Sequence, residues 1–303
     1  MPSKTALQIL LSGSHGLIGQ RVKLFFEQKG HLVKRLERAP SFKDGVATWD
    51  LERGSYNREA FEGSDVIIHL AGENVGKGIW TQEKKRRIVE SRLHSAKLLS
   101  QIVSELSRAP KLLLVASAVG YYGDRGALLL DEAASSSKGV FISKVCAECE
   151  EVYAGIDRKG VRVAWARLGL VLTPEGGVLN SFLTLSKWGL LGRMGSGEQY
   201  MSWIGMKDLL LILDHILNHK ELSGPINVVT PSPLTQKDLV KIIARHLRRP
   251  MGAPLPKWAL KLILGQKGLE LLLSSQRVDP VKLKQSGYQY QNGSLESLLA
   301  ELI

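Results

Sequence analysis

The sequence predicts an α/β fold, a doubly wound parallel sheet followed by a smaller, mainly helical carboxy-terminal region. Three observations support this prediction. Strand-like and helix-like segments alternate through the first half of the 303 residues, as in a parallel sheet that helices cover on both faces. DVIIHL at 65–70 and KLLLVA at 111–116 are continuous apolar runs, typical of strands buried on both sides. A glycine-rich turn directly follows the first apolar run.

The individual elements follow from apolar patterns and from the residues that end them. We predict strands at 7–11, 31–36, 65–70, 111–116 and 161–167. We predict helices at 20–29, about 82–106 and about 140–156, the first of which Gly30 ends.

The character of the chain changes after residue 172. Glycines and prolines introduce loops, and helices dominate from Leu234 onward. The segment 225–229 looks like a late strand that returns to the sheet. We therefore predict two domains, 1–175 and 176–303, whose separation that late strand would make incomplete.

Composition excludes several classes of protein. With 44% apolar residues the chain can bury a large core, and it lacks the uncharged run of roughly 18–20 apolar residues that spans a membrane. The first residues do not have the layout of a signal peptide. Two cysteines in so long a chain indicate a reducing compartment. We expect a cytoplasmic protein with no membrane partner.

The net charge of +12 raises the question of nucleic-acid binding. The basic clusters at 84–87 and 245–249 lie in predicted helices without interleaved aromatic residues, so we interpret them as a solvated basic surface and predict no nucleic-acid partner. Cys146 and Cys149 form a C-x-x-C in mid-helix, and no further cysteine accompanies them. We expect reduced thiols and no metal site.

The glycine-rich turn, GSHGLIG at 13–19, has the pattern G-x-x-G-x-x-G between a predicted strand and a predicted helix. Glycine is needed for the tight turn, for close approach of the backbone to a pyrophosphate, and for packing of helix against strand. The helix N-terminus then offers unpaired N–H groups to the phosphates. The turn predicts a Rossmann-type dinucleotide site; a purely structural turn is the alternative.

The end of the second predicted strand bears on the choice of dinucleotide. Glu37 stands where an acidic residue accepts the ribose 2′-hydroxyl of NAD. Arg38 follows it, and an arginine here would pair with the 2′-phosphate of NADP. The residues alone leave this choice open.

Further motifs carry a family resemblance. They are HLAGEN at 69–74, SAVGYYG at 117–123, RLGLVLTPEGG at 167–177 and GSGEQYMSWI at 195–204. With the glycine turn they resemble the extended short-chain dehydrogenase/reductases, and more narrowly the epimerase family proteins, a branch sometimes labelled cell-division inhibitors. PLPKWALKLILG and SGYQY extend the resemblance into the domain of unknown function of that branch, here about 250–298.

The resemblance implies NADP as cofactor, with NAD as the alternative. The cofactor-binding residues that we predict are Gly13, Ser14, His15, Gly16, Leu17, Ile18, Glu37, Arg38, Asp50, Leu70, Ala71 and Arg92. In this set the turn holds the pyrophosphate, Arg38 faces the 2′-phosphate and Asp50 approaches the adenine. Glu37 departs from the family pattern.

The catalytic residues are less regular. In the extended short-chain dehydrogenase/reductases a serine or threonine acts with Tyr-x-x-x-Lys while the nicotinamide handles hydride. Ser117 occupies the serine position, but the residue four before Lys144 is Val140. Tyr121 and Tyr122 are the candidates to replace the missing acid/base; ring packing is their alternative role.

The segment 192–203 is expected to cap the substrate cleft, where Gln199, Tyr200 and Trp203 offer polar and stacking contacts. A structural loop is the alternative. The extended family often has a histidine two residues after this tryptophan, where this chain has Gly205.

Two functions follow. The first is an atypical NADP-binding oxidoreductase or epimerase, an isomerase, with an unknown small-molecule substrate; Ser117 and the glycine-rich loop favour it. The second is a non-catalytic NADP-dependent regulator with a protein partner in cell division, which the missing tyrosine favours. A homodimer is compatible with both.

Overall fold

A computed structural model of the chain describes residues 6–39, 47–137, 139–156 and 160–303. It confirms the predicted α/β fold. In chain order the strands are β1 Gln8–Ser12, β2 Leu32–Arg38, β3 Ala47–Asp50, β4 Ser55–Tyr56, β5 Val66–His69, β6 Leu112–Ala118, β7 Leu129–Leu130, β8 Arg162–Leu168, β9 Leu170–Leu172, β10 Gly192–Met194, β11 Tyr200–Met201, β12 Trp203–Gly205, β13 Gly224–Val228, β14 Leu234–Thr235, β15 Gly252–Leu255 and β16 Arg277–Val278. The helices are α1 Leu17–Gln28, α2 Arg58–Phe61, α3 Gln82–Glu105, α4 Phe141–Ala154, α5 Gly177–Lys187, α6 Met206–Asn218, α7 Gln236–His246, α8 Lys257–Leu272, α9 Val281–Gln285 and α10 Leu295–Leu302, with a 3₁₀ turn at Val119–Tyr122.

The central sheet has eight strands in the order β13-β8-β6-β5-β1-β2-β3-β4. Neighbouring strands are parallel except β3 and β4, which are antiparallel. From β1 the chain builds the sheet toward β2 on one side and later toward β5 on the other. The side of the sheet to which strands are added therefore changes between β1 and β5. Open parallel sheets bind ligands at such a switch point, beyond the carboxyl ends of the strands.

Both faces of the sheet are buried, which explains the uninterrupted apolar runs. On one face Ile9 and Leu11 pack with Val22 and Phe26 of α1. On the other face Leu10, Ile67 and Leu113 contact a layer that α3 provides. Successive residues of a strand point to opposite faces, so each residue of these strands meets a helix layer.

The helix boundaries lie close to those predicted. Helix α1 begins three residues before the predicted start, because Gly16 is its N-cap and the turn leads straight into it. Gly30 has φ 83° just beyond its end. Helix α3 begins after Thr81, whose hydroxyl accepts a hydrogen bond from the Lys84 N–H.

The carboxy-terminal region surrounds a second core of buried residues from α5, α7 and α10, together with Trp203. Small two-stranded sheets join its parts, among them β10 with β15. Strand β13 leaves this region and pairs in parallel with β8, which confirms the predicted late strand. A division near residue 175 stays a prediction. Among the described residues, no helix combines the length and apolar character needed to cross a membrane.

Candidate cofactor-binding and active site

Two glycines of the turn are required by the fold itself. Gly13 has φ +74°, and a Cβ there would lie 2.7 Å from the Leu70 carbonyl carbon. A Cβ on Gly19 would overlap the carbonyl oxygen of Gly13. The turn therefore packs backbone directly against backbone, as the pattern predicted.

Gly16 has a different role. Its φ of −76° is open to any residue, and the nearest atom to an added Cβ is the Gly13 oxygen at 3.4 Å. Gly16 nevertheless lines both cavities at the carboxyl end of the sheet. The absence of a side chain here keeps the space beside the start of α1 open.

The start of α1 fits an anionic group. No side chain caps this helix end, and its first turn contains no acidic residue. Leu17 and Ile18, whose N–H groups lack helical partners, line the first cavity. The Ser14 hydroxyl is buried and has no hydrogen-bond partner among the described residues. Unpaired donors and the positive end of the helix dipole are the features that bind a phosphate.

The first cavity extends from this turn to the ends of β6 and α4 and has a volume of about 480 Å³. Its wall includes Leu70, Ala71, Arg92 and Ser117. Such a volume lies in the range of cofactor and small-ligand sites.

A second cavity, of about 450 Å³, shares the wall at Gly13, Gly16 and Leu70 and lies beyond the end of β2. Glu37 and Arg38 line it. Its wall also includes Trp49 and His15. The His15 Nε2 lies 3.8 Å from the Glu37 Oε1. Within the described residues, the Arg38 guanidinium has no hydrogen-bond or ion-pair partner.

Arg92 reaches the first cavity from α3. Its Nη1 donates to the Glu73 carbonyl at 3.0 Å and to the Ile88 carbonyl at 3.3 Å. Burial lowers the pKa of Arg92. Asp50, by contrast, lines neither cavity; its Oδ1 accepts hydrogen bonds from the Glu52 and Arg53 N–H groups at 2.9 and 3.1 Å. The predicted adenine contact of Asp50 stays a prediction.

His69, at the end of β5, fixes the floor of the site. Its ring nitrogens hydrogen-bond with the hydroxyls of Ser12 at 2.7 Å and Ser95 at 3.1 Å. Burial, with smaller contributions from nearby arginines, lowers the pKa of His69 to about 3. The imidazole is therefore neutral at physiological pH and ties β1 and β5 to α3.

Ser117 belongs to a network that sequence reasoning missed. Its hydroxyl donates to the Glu150 Oε1 at 2.6 Å. Glu150 in turn pairs with both Nε and Nη2 of Arg167, at 3.1 and 2.7 Å. Both partners are buried. Burial alone would lower the pKa of Arg167, but the hydrogen bonds and charge of Glu150 outweigh it and raise that pKa.

The sequence of α4 contains a pattern that could have identified Glu150 as a site residue. Cys146, Cys149, Glu150 and Tyr153 recur at helical spacing, and all four line the first cavity. Burial raises the pKa of Cys146 to about 11 and that of Cys149 to about 12, so both remain thiols. Both cysteines are free.

The two candidate tyrosines flank Arg167 and line neither cavity. The Arg167 Cζ lies 3.6 Å from the centre of the Tyr121 ring. The Tyr122 hydroxyl donates to the Asn227 Oδ1 at 2.7 Å, and it accepts from the Arg167 Nη1 at 2.9 Å. Tyr122 is fully buried, and this burial raises its pKa to about 12. Their catalytic assignment stays a prediction.

The residues of the irregular Tyr-x-x-x-Lys position lie outside the cavities. Lys144 is largely exposed, and its Nζ lies 3.8 Å from Glu148. Val140 precedes α4 as its N-cap residue. Val140, at the sequence position of the family's tyrosine, has no ionisable group.

The predicted substrate residues are placed between the carboxy-terminal core and β16. Gln199 is buried and donates to the carbonyls of Met194 and Leu272. Tyr200 stacks under Arg277, and Trp203 is fully buried with its Nε1 donating to the Ser232 carbonyl at 3.2 Å. They line neither cavity of the site. Their substrate contacts stay predictions.

The fold and the site define a Rossmann-type dinucleotide-binding protein. The chain belongs to the NAD dependent epimerase/dehydratase family, which matches residues 9–229. Residues 255–302 match a domain of unknown function, DUF1731.

Relatives of this family match the chain over nearly its whole length. The epimerase family protein ML0860 of Mycobacterium leprae is 32% identical over 292 residues, covering 96% of this chain and 94% of that protein. The epimerase family protein YfhF of Bacillus subtilis is 30% identical over 300 residues, covering 98% of each. The crystal structure of human epimerase family protein SDR39U1 with NADPH superimposes with a TM-score of 0.89 at 29% identity, covering 98% of this chain and 99% of that one. These comparisons confirm the predicted family, but they do not support its cell-division label.

Proposed function

We propose that the protein binds NADP(H) along the two cavities and catalyses a redox step, as an oxidoreductase or epimerase, on a small-molecule substrate. The observation that carries this proposal is the continuity of the site. One wall joins the glycine turn and the uncapped start of α1 to Ser117 at the end of β6. The NADPH bound to the human relative supports the same reading.

Arg38 is the reason for proposing NADP(H) over NAD(H). Its guanidinium lines the second cavity and would pair with a 2′-phosphate in two parallel hydrogen bonds. The Glu37 carboxylate in the same wall would repel that phosphate. Arg38 is therefore the dominant contact in the proposal, and Glu37 reduces its effect.

The chemistry would centre on Ser117. A bound nicotinamide would supply or accept hydride. In the oxidising direction the substrate hydroxyl would give its proton to the Ser117 oxygen as the hydride leaves its carbon, while Ser117 passes its own proton to the Glu150 carboxylate, to which it already donates; reduction would run the same transfers in reverse. The bidentate contact with Arg167 holds that carboxylate in place. A positioned general acid/base of this kind contributes roughly 10²–10⁴ in rate.

Tyr122 is less suited to proton transfer than Ser117. Its hydroxyl is already shared among Asn227, Arg167 and the carbonyl of Asp131, and it is closed to solvent. Tyr121 contributes an aromatic surface beneath Arg167. The alternative of a non-catalytic regulator draws no support from the comparisons.

The test is a substrate screen with matched variants. Carbonyl compounds and nucleotide sugars are incubated with the protein and NADPH or NADP⁺, and NADPH absorbance and chromatographic product analysis are followed. We expect Ser117→Ala to lower kcat by roughly 10²–10⁴ with the NADPH Kd unchanged. Ser181→Ala, an exposed serine of α5, is the control and should leave both unchanged.

Two results would contradict the proposal. One is a turnover that survives Ser117→Ala, which would remove Ser117 from the chemistry. The other is a folded protein to which NADPH does not bind in calorimetry. Tight NADPH binding without turnover on the panel would instead favour a regulatory protein.

A further inference from the structure

Most of the net positive charge is confined to two segments. Residues 176–197 and 239–269 contain nine lysine and arginine residues and no aspartate or glutamate. The whole chain carries a net charge of +12. Outside these segments positive and negative side chains nearly balance.

The two segments meet in the fold. Strand β10 from the first pairs with β15 from the second, with Gly192 opposite Gly252. The Gly252 N–H donates to the Leu191 carbonyl at 2.9 Å, and a Cβ on Gly189 would lie 3.8 Å from Pro250. The two basic segments therefore lie side by side in the fold.

The same region exposes large apolar side chains. We call Trp188, Leu190, Met251, Trp258, Leu262 and Ile263 the carboxy-terminal patch. Trp188 is 77% exposed, Trp258 71% and Leu262 81%. Large exposed apolar patches on soluble proteins mark sites of interaction with proteins or membranes.

Helix α8 shows how the patch is built. Leu260 is buried in the carboxy-terminal core, which anchors one face of the helix. Trp258 and Leu262, one turn apart, are exposed, and Lys257 and Lys261 beside them are exposed as well. Tryptophan and lysine side chains each combine an apolar body with a polar or charged end, which suits the boundary between water and lipid headgroups.

We propose that the carboxy-terminal patch binds the surface of an anionic phospholipid membrane. Tryptophan, leucine and isoleucine side chains would enter the headgroup region while the surrounding cations contact lipid phosphates. Pairing the patch with itself in a second copy would bring together two pairs of segments that each carry nine lysine and arginine residues and no aspartate or glutamate, which Coulomb repulsion opposes. The expectation of no membrane partner rested on the lack of a spanning segment, and a peripheral contact needs none.

The patch is connected to elements next to the candidate site. Beyond Gly265, where φ of 58° interrupts α8, the Lys267 Nζ donates to the Gly78 carbonyl at 2.6 Å. Glu270 accepts from the Ile142 N–H at the start of α4 at 3.2 Å. A membrane bound at the patch would thus contact the helix whose second half holds the loop that follows Val75, a residue of the first cavity wall, and the start of α4.

The test is flotation of the full chain with vesicles. One set contains phosphatidylcholine alone, and the other contains about one third phosphatidylglycerol, enough to attract a basic surface. We expect binding to the anionic vesicles only, weakened by added salt. Lys261→Glu and Leu262→Ser should each weaken the partition constant by about tenfold or more.

Matched controls distinguish binding through the patch from effects of net charge and from nonspecific hydrophobic adsorption. Lys97→Glu changes the net charge as Lys261→Glu does, at an exposed lysine of α3, and Leu32→Ser removes a leucine that is 61% exposed elsewhere. Both should bind vesicles as the unaltered protein does, and NADPH affinity and thermal unfolding verify each fold. Equal binding to neutral vesicles, no binding to anionic ones, or equal losses in the controls would overturn the proposal. So would concentration-dependent dimerisation in light scattering that Leu262→Ser abolishes.

Discussion

Replacing Gly16 with leucine separates the binding function of the turn from its folding function. The backbone at Gly16 has φ −76° and ψ 164°, which leucine adopts without strain. The new Cβ would lie 3.4 Å from the Gly13 oxygen, an ordinary contact. The rest of the side chain would extend into the space shared by both cavities.

The expected loss follows from the donors that the leucine would block. The N–H groups at the start of α1 have no partner within the helix, and each hydrogen bond to a charged phosphate contributes about 1.5–3 kcal/mol. Blocking two of them costs about 3–6 kcal/mol, which raises the NADPH Kd by roughly two to four orders of magnitude.

Calorimetric titration with NADPH measures this loss, and thermal unfolding without cofactor measures the fold. Gly293→Leu is the control, because a Cβ at Gly293 meets no atom within 4 Å and the site lies elsewhere. A Gly16→Leu protein that unfolds like the unaltered one and still binds NADPH with unchanged affinity would refute the role assigned to the turn.

Two further predictions concern charge. Arg38→Ala should weaken NADPH binding by about one to two orders of magnitude and leave NADH binding nearly unchanged in calorimetry. Lys34→Ala, an exposed lysine of the same strand, is the control, and an unaltered protein that prefers NADH would contradict the Arg38 assignment. The pKa of His69 is about 3 in the folded protein and about 6.5 in the unfolded chain. Between these pH values the His69 imidazole binds a proton in the unfolded chain but not in the folded protein. Stability should therefore fall as pH drops from 6.5 toward 3, by at most on the order of 4 kcal/mol; His69→Gln should flatten this slope in urea unfolding, whereas the exposed His94→Gln should not.

The sheet and the cofactor turn could be predicted because their signals are local. Buried parallel strands need continuous apolar residues, and Gly13 and Gly19 are required by contacts within one strand–turn–helix unit. The 18 residues from Gly19 to Glu37 span one helix and one strand. Such spacings can be recognised in the sequence without knowledge of the tertiary structure.

The network behind Ser117 could not be predicted in the same way. Glu150 and Arg167 come from α4 and β8, and only the packing of that helix on the sheet brings them within 2.7 Å. Trp203 likewise resembled a cleft residue in the sequence, whereas it lies fully buried in the carboxy-terminal core. Composition identifies these residue types but does not show which partners they have across the chain.

Strand β13 has a consequence for the order in which the protein folds during synthesis. It is the edge strand beside β8, yet its residues, Gly224–Val228, come after about three-quarters of the chain has been made. Until then the edge of β8 presents unpaired backbone N–H and C=O groups, which attract other strands and promote aggregation. A nascent chain or an engineered fragment that ends at residue 175 would retain this exposed edge. The cofactor-binding half is therefore expected to mature only together with the segment that follows it, and expression of that half alone should yield insoluble protein.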